Sequence, residues 1–195
     1  MIRSDGLALP LIVWLSSFFL GQRPAAHPGL PKRIPVPKYG FSVERPDGWR
    51  ARVWWKDGLP IFVNFPWSEM GAQLTLPEGG ASINLISFED AHRRRRRDDS
   101  LAGWANFDAA LAAPGTLASA PLDVPAPTGI SEALLTSFNV ATFSRDDQAQ
   151  RHVSVYWAYR KEKFAAHLFY VVGDPKGASY GNVLRQIVFS IRPVA

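Results

Sequence analysis

The chain has 195 residues, of which 47% are hydrophobic and 20% charged, and a formal net charge of +5. This is the composition of a folded globular chain of about one domain rather than a disordered one, and the charge is weaker than a dedicated nucleic-acid binder carries on one face. Cysteine is absent, which excludes disulfides, thiol catalysis, Cys-ligated zinc, iron–sulfur clusters and the lipid attachment of a bacterial lipoprotein.

In chain order, the first feature is Leu7–Leu20, the nearly unbroken apolar run LALPLIVWLSSFFL. At 14 residues it is short of the roughly 20 that span a bilayer and has the length of a signal-peptide core. Asp5 weakens the positive start, and Pro24 stands at −3 of a cut after Ala26. Residues 1–26 therefore read as a cleaved export signal, with an uncleaved anchor or a buried first helix of a cytosolic protein as the alternatives. Residues 24–38 hold five prolines, each fixing φ and removing a donor, so residues 27–38 read as an extended linker. A single domain over 39–195 is expected to follow.

Tyr39–Glu44 alternates as a strand and meets a Pro46-Asp-Gly48 turn. Arg50–Trp55 and Ile61–Phe65 are β-rich, and Gln73–Leu76 with Ala81–Phe88 reads as a hairpin across Pro77–Gly80. Asp98-Asp-Ser100 offers helix N-caps. Leu101, Trp104, Phe107 and Leu111 follow as one helical face, and Pro114-Gly115 ends the run. Pro114–Gly129 reads as loop, and Glu132–Ser144 as a strand.

Arg151–Arg160 and Lys163–Val172 flank Lys161-Glu162 and read as a hairpin with Arg160 opposite Lys163. One face then carries Val153, Val155, Trp157, Tyr159, Phe164, Ala166, Leu168 and Tyr170, almost wholly apolar, and a one-residue slip would expose it. Asp174-Pro175 reads as an N-cap with Pro at the first helical position. Tyr180, Val183, Leu184, Ile187, Val188 and Ile191 form an amphipathic helical stripe. The expected class is α+β, an antiparallel sheet covered by helices.

Tyr39-Gly-Phe-Ser-Val-Glu-Arg-Pro-Asp-Gly-Trp49, Lys163-Phe-Ala-Ala-His-Leu-Phe-Tyr170, Tyr180–Ile187 and Phe189-Ser-Ile-Arg-Pro193 together resemble the PsbP-like domains over about residues 39–193. The resemblance implies an α-β-α sandwich with a central, mostly antiparallel sheet and an amphipathic C-terminal helix. It also implies accessory binding rather than catalysis. That family includes an extrinsic subunit of photosystem II, a nuclear-transport factor that binds a small GTPase, and many exported bacterial members. Neither named partner carries over, and fold analogy does not establish function.

Candidate chemistry is sparse. Gly177-Ala-Ser-Tyr-Gly181 matches the nucleophile-elbow pattern, but Asp174–Lys176 separates it from the strand and no Asp, Glu or His follows Ser179; it reads as the start of a helix. His152 and His167 fall on one face of the hairpin, but the expected register puts them about 13 Å apart, too far to share a metal ion. They read as solvated sheet-face residues. The run Arg93, Arg94, Arg95, Arg96 and Arg97 is bracketed by Glu89, Asp90, Asp98 and Asp99, leaving a net +1 over residues 89–99. It reads as a solvated loop, or as a contact for an anionic surface or acidic partner. Trp49, Trp54, Trp55 and Trp67 read mainly as core, with an aromatic binding surface as the alternative.

No catalytic, metal-binding or cofactor-binding residue is assigned, and no cofactor is expected. The functional expectation is an exported, periplasmic or extracellular, accessory or binding domain that contacts an unidentified envelope protein. No nucleic-acid partner is expected, and membrane contact only through an uncleaved residue 7–20 segment. The alternatives are an envelope hydrolase of unrecognised type and an anionic-surface binder acting through Arg93–Arg97.

Overall fold

The structure is a computed structural model that describes residues 31–53, 58–66, 76–77, 79–88, 100–141 and 149–194. The described residues hold ten strands and two α-helices, and every strand pair is antiparallel. Strands β1 (Arg33–Val36), β2 (Phe41–Glu44) and β10 (Arg192–Pro193) make a small sheet in the order β1-β2-β10. The large sheet has seven strands in the order β3-β4-β5-β9-β8-β7-β6. These are β3 (Arg50–Val53), β4 (Pro60–Val63), β5 (Ala81–Ser87), β6 (Ala118–Pro121), β7 (Ile130–Asn139), β8 (Gln150–Tyr159) and β9 (Glu162–Val171). Helix α1 (Leu101–Asp108) lies on one face and α2 (Gly177–Phe189), with the small sheet, on the other. This is an α-β-α sandwich of the α+β class.

The main core lies between the large sheet and α2. Val155, Trp157 and Tyr159 of β8 and Phe164, Ala166 and Leu168 of β9 face it, meeting Tyr180, Leu184, Ile187 and Val188 of α2 and Phe41 and Val43 of β2. These are the alternate positions that the hairpin pattern marks as apolar, and the i, i+4, i+7, i+8 stripe of α2 is the face it buries. A second cluster on the opposite face joins Leu101, Trp104 and Ala105 of α1 to Ile86, Phe88, Tyr156 and Ala165.

Several expectations are corrected. Residues 33–36, read as linker, form a strand whose Ile34 and Val36 are buried. Pro35 is tolerated because β1 is an edge strand and pairs only with β2. Residues 118–121, read as loop, form the exposed edge strand β6; with every residue exposed there is no burial alternation to read. The helical face of α1 is Leu101, Trp104, Ala105 and Asp108, at i, i+3, i+4 and i+7, while Phe107 is exposed. Helix α2 begins at Gly177, after Lys176, and Asp174 instead accepts the Lys176 N–H through Oδ1 at 2.8 Å. β5 has β4 on one flank and β9 on the other. Its expected hairpin partner falls outside the described residues except Leu76, which is not in a strand and packs with Val63 and Phe65.

The β8–β9 hairpin forms with a shifted register. Tyr159 pairs with Glu162 and Ala158 with Lys163, so the loop is Arg160-Lys161, with Arg160 at φ 56°. The left-handed conformation costs a non-glycine residue about 1 kcal/mol. Here the Arg160 guanidinium lies over the Tyr159 ring, 5.3 Å from its centre, a contact that offsets part of that cost. The shift moves each partner by two positions. Since side chains alternate with period two, every residue keeps its expected face while its cross-strand neighbours change.

Candidate functional site

The shifted register assembles a polar row across the α1 side of the large sheet. Thr136 of β7 pairs with Ser154 of β8, Ser154 with His167 of β9, and His167 with Asn84 of β5. On one flank of this row lie Phe138, His152 and Phe169, and on the other Leu134, Tyr156, Ala165 and Ile86. His152 is held between its cross-strand neighbours, edge to face with Phe138 at 4.6 Å and stacked on Phe169 at 4.5 Å between ring centres.

Three polar atoms meet at the centre. Ser154 Oγ lies 2.7 Å from both His152 Nε2 and His167 Nδ1, and the two ring nitrogens are 3.1 Å apart. Above them, the last residue of α1 contributes Asp108. Its Oδ2 accepts the Tyr156 hydroxyl at 2.6 Å and faces His167 Nε2 at 3.9 Å. A carboxylate in the last turn of a helix opposes the helix dipole. Asp108 is there because α1 presents it to Tyr156 and His167 from the same stripe that buries Leu101 and Trp104.

Ser154 Oγ, His152 Nε2 and His167 Nδ1 thus form one triangle in which a single hydroxyl serves both rings, its donor and acceptor roles following the tautomers of the two imidazoles. Beside it the Tyr156 hydroxyl donates to Asp108. At 3.9 Å the His167–Asp108 contact exceeds a hydrogen bond.

Burial controls the protonation of the cluster. His167 is pushed down to about 3 by desolvation, and the nearby carboxylate does not reverse this. His152 is held well below its usual value by desolvation and then by His167. The Tyr156 hydroxyl is raised well above its usual value by desolvation and by the Asp108 charge. Both imidazoles are therefore neutral in the folded protein at neutral pH, and the 3.9 Å contact is not an ion pair. Exposure is 0% at Ser154, 5% at His152, 8% at His167 and 9% at Asp108. Two polar atoms of the row, Thr136 Oγ1 and Asn84 Oδ1, are buried without a hydrogen-bond partner.

The cluster overturns the expectation that His152 and His167 are solvated and far apart. The physical reason is the two-residue register shift, which sets His167 opposite Ser154, together with the Phe138 and Phe169 rings that flank His152 and the Asp108 that α1 brings to His167. One signal of it was available in Lys163-Phe-Ala-Ala-His-Leu-Phe-Tyr170, a nearly continuous apolar run of the kind buried on both faces. Among the described residues, no group of three or more His, Cys, Asp or Glu side chains is arranged to hold a metal ion.

The remaining sequence candidates separate clearly. Ser179 is exposed in the first turn of α2 and donates to the Lys176 carbonyl at 2.6 Å. Gly177 is buried where an added Cβ would stand 2.6 Å from the Tyr170 ring, so the glycine serves close packing of helix on strand. Trp49 is a core residue, edge to face with Tyr180 at 6.1 Å. Trp54, Trp55, Trp67 and the run Arg93–Arg97 lie outside the described residues.

Fold and site together define an α-β-α sandwich of the α+β class with a buried polar cluster on the α1 side of the sheet. No family model matches the chain, and no curated protein does. Among solved structures it is similar to cyanobacterial PsbP (CyanoP) from Synechocystis sp. PCC 6803, with 11% identity, a TM-score of 0.40, and coverage of 89% of this chain and 98% of that one. It is also similar to a protein from Bacteroides thetaiotaomicron VPI-5482, with 10% identity, a TM-score of 0.45 and 80% of this chain covered. The match spans 46% of the Bacteroides chain. These are likenesses of fold. No described helix is long and apolar enough to cross a membrane.

Proposed function

We propose that the chain is an exported, non-catalytic accessory domain that binds a protein of the cell envelope. The observation that carries the non-catalytic part is the closure of the polar cluster. Ser154, His167 and Asp108 have the side chains of a hydrolytic triad, yet Ser154 has no exposed surface and the His167–Asp108 contact, at 3.9 Å, is longer than a hydrogen bond. A nucleophile must come within about 3–3.5 Å of a substrate atom, and no such approach is open to Ser154 Oγ. Export is supported by the Leu7–Leu20 run and the proline-rich stretch after it.

Two measurements test this reading. The full chain, expressed with an in-cell photo-crosslinker, is expected in the envelope fraction with a reproducible crosslinked protein. Cytosolic fractionation without any crosslinked partner overturns it. A fluorophosphonate probe, which labels activated serines, is expected to leave Ser154 unlabelled. Labelling that disappears in Ser154→Ala and in His167→Gln would instead establish the hydrolase reading, which the order Ser154–His167–Asp108 favours chemically.

A further inference from the structure

The edges of the two sheets are not alike. Among the described residues, edge strand β1 carries Arg33, β3 carries Arg50 and Arg52, and β10 carries Arg192. Charged side chains discourage an edge strand from pairing with a strand of another chain. β6 (Ala118–Pro121) forms the other edge of the large sheet with no charged residue, and all of it is exposed. The uncharged stretch is longer than the strand: residues 109–122 have no charged side chain, nor have residues 133–139 of the neighbouring β7. Leu117, one step before β6, is 48% exposed.

The backbone of this edge has a definite pattern. Leu122 donates its N–H to the Ala133 carbonyl at 3.0 Å, continuing the register in which Pro121 stands opposite Leu134. Residues that bond to the neighbour alternate along an antiparallel ladder, so Ala118 and Ala120 also bond to β7, while Leu117, Ser119 and Pro121 turn their backbone groups off the sheet. Pro121 suits its place, because proline is tolerated on an edge where the N–H would face away. The open edge therefore offers the N–H and C=O of Ser119, the N–H of Leu117 and the C=O of Pro121.

We propose that β6 pairs with β6 of a second copy of this chain, antiparallel about a two-fold axis at Ser119, joining the two large sheets edge to edge. The axis sets Ser119 against Ser119 and Leu117 against the Pro121 of the other copy. The two Ser119 residues exchange N–H and C=O, and each Leu117 N–H meets a Pro121 carbonyl. Leu117 and Pro121 share the face of Ser119, which lies opposite Thr136, so the exposed Leu117 gains an apolar neighbour across the axis. Charge selects this occupant. Two copies of a chain with net charge +5 repel, and an arginine-bearing edge would set like charges opposite each other. β6 is the edge where a copy meets no such charge, and it offers none to attract a charged partner. The contact is small beside the roughly 800 Å² per partner of a standard interface, so the pairing is weak, with a Kd between about 10 µM and 1 mM. It depends on neither export nor an envelope partner.

The test is amide hydrogen exchange of the full chain at rising protein concentration. The Leu117 and Ser119 amides are expected to slow severalfold, while those of Ala118 and Ala120, already bonded to β7, do not change; association through any other surface leaves Ser119 unaffected. Ser119→Lys and Ser119→Glu, both at an exposed position, each set like charges opposite each other and should weaken the pairing by about fivefold, and an equal mixture of the two should restore it. Exchange at Ser119 that is independent of concentration up to about 1 mM, single variants that pair as well as the unsubstituted chain, or a mixture no better than either variant alone would each overturn the proposal. Protection of Ser119 that appears only when envelope extract is added would assign the edge to a strand of another protein and overturn it equally.

Discussion

At the scale of single residues, the polar row separates groups that satisfy one another from groups that do not. The Tyr156 hydroxyl donates to Asp108 at 2.6 Å with both side chains buried. Tyr156→Phe removes this charge-assisted hydrogen bond, so it should cost about 1.5–3 kcal/mol, since hydrogen bonds to charged groups exceed neutral ones. Urea unfolding with an unchanged m-value would measure this; a loss under about 0.5 kcal/mol would show that the Tyr156–Asp108 bond contributes little to stability. Thr136 gives the opposite expectation. Its Oγ1 is buried and unpartnered, so the isosteric Thr136→Val should be neutral to stabilising by about 1 kcal/mol. A destabilisation of that size in the same assay would reveal a partner for the hydroxyl.

At the scale of elements, α1 is tied down by its ends. Ser100 caps it, accepting the Gly103 N–H at 3.0 Å; the sequence offered it beside Asp98 and Asp99, and the structure selects it. Ser100→Ala should cost about 1 kcal/mol, read as roughly fivefold faster exchange of the α1 amides. Equal acceleration in β8 would mean that α1 does not open separately. The second helix is a different case. Its stripe lies in the main core, with Leu184 fully buried, so Leu184→Ala should cost about 2–5 kcal/mol and destabilise the whole domain. That stripe was legible in sequence because six apolar residues recur at helical spacing. The face of α1 was only half legible, because Ala105 and Asp108 do not announce themselves as core and Phe107 does.

At the scale of the molecule, two neutral buried histidines couple folding to pH. Both have folded-state values below the ordinary one, so the unfolded chain binds more protons once the pH drops under about 6.5. Stability is therefore complete above that value and declines as pH falls toward the folded value, about 3 for His167. The slope is roughly 1.4 kcal/mol per pH unit for each histidine. Denaturation midpoints at pH 7.5, 6.5, 5.5 and 5.0 would check this, and the decline should weaken in His152→Phe. A midpoint that holds or rises across that window would mean that the rings are charged in the fold.

The sequence by itself determined the alternation of the β8–β9 hairpin, the apolar stripe of α2, a helix start within Asp98–Ser100 and the turn at Pro46–Gly48. Each depends on residues within a few positions of one another, so local geometry decides it. The tertiary structure alone decided the register of that hairpin, because a shift of two positions leaves a period-two pattern unchanged and only the loop at Arg160-Lys161 distinguishes the alternatives. It alone brought β10 to β2, about 150 residues away, and turned Arg33–Val36 from linker into strand by giving Ile34 and Val36 a core to enter. The candidate site belongs to this second group in all but one respect: the hairpin pattern already put His152 and His167 on one face. His152 and His167 look in sequence like the watered side of a sheet, and Ser154 and Tyr156 share their face. They become a buried cluster because the register brings them together, with α1 packed on Tyr156 and setting Asp108 against Tyr156 and His167.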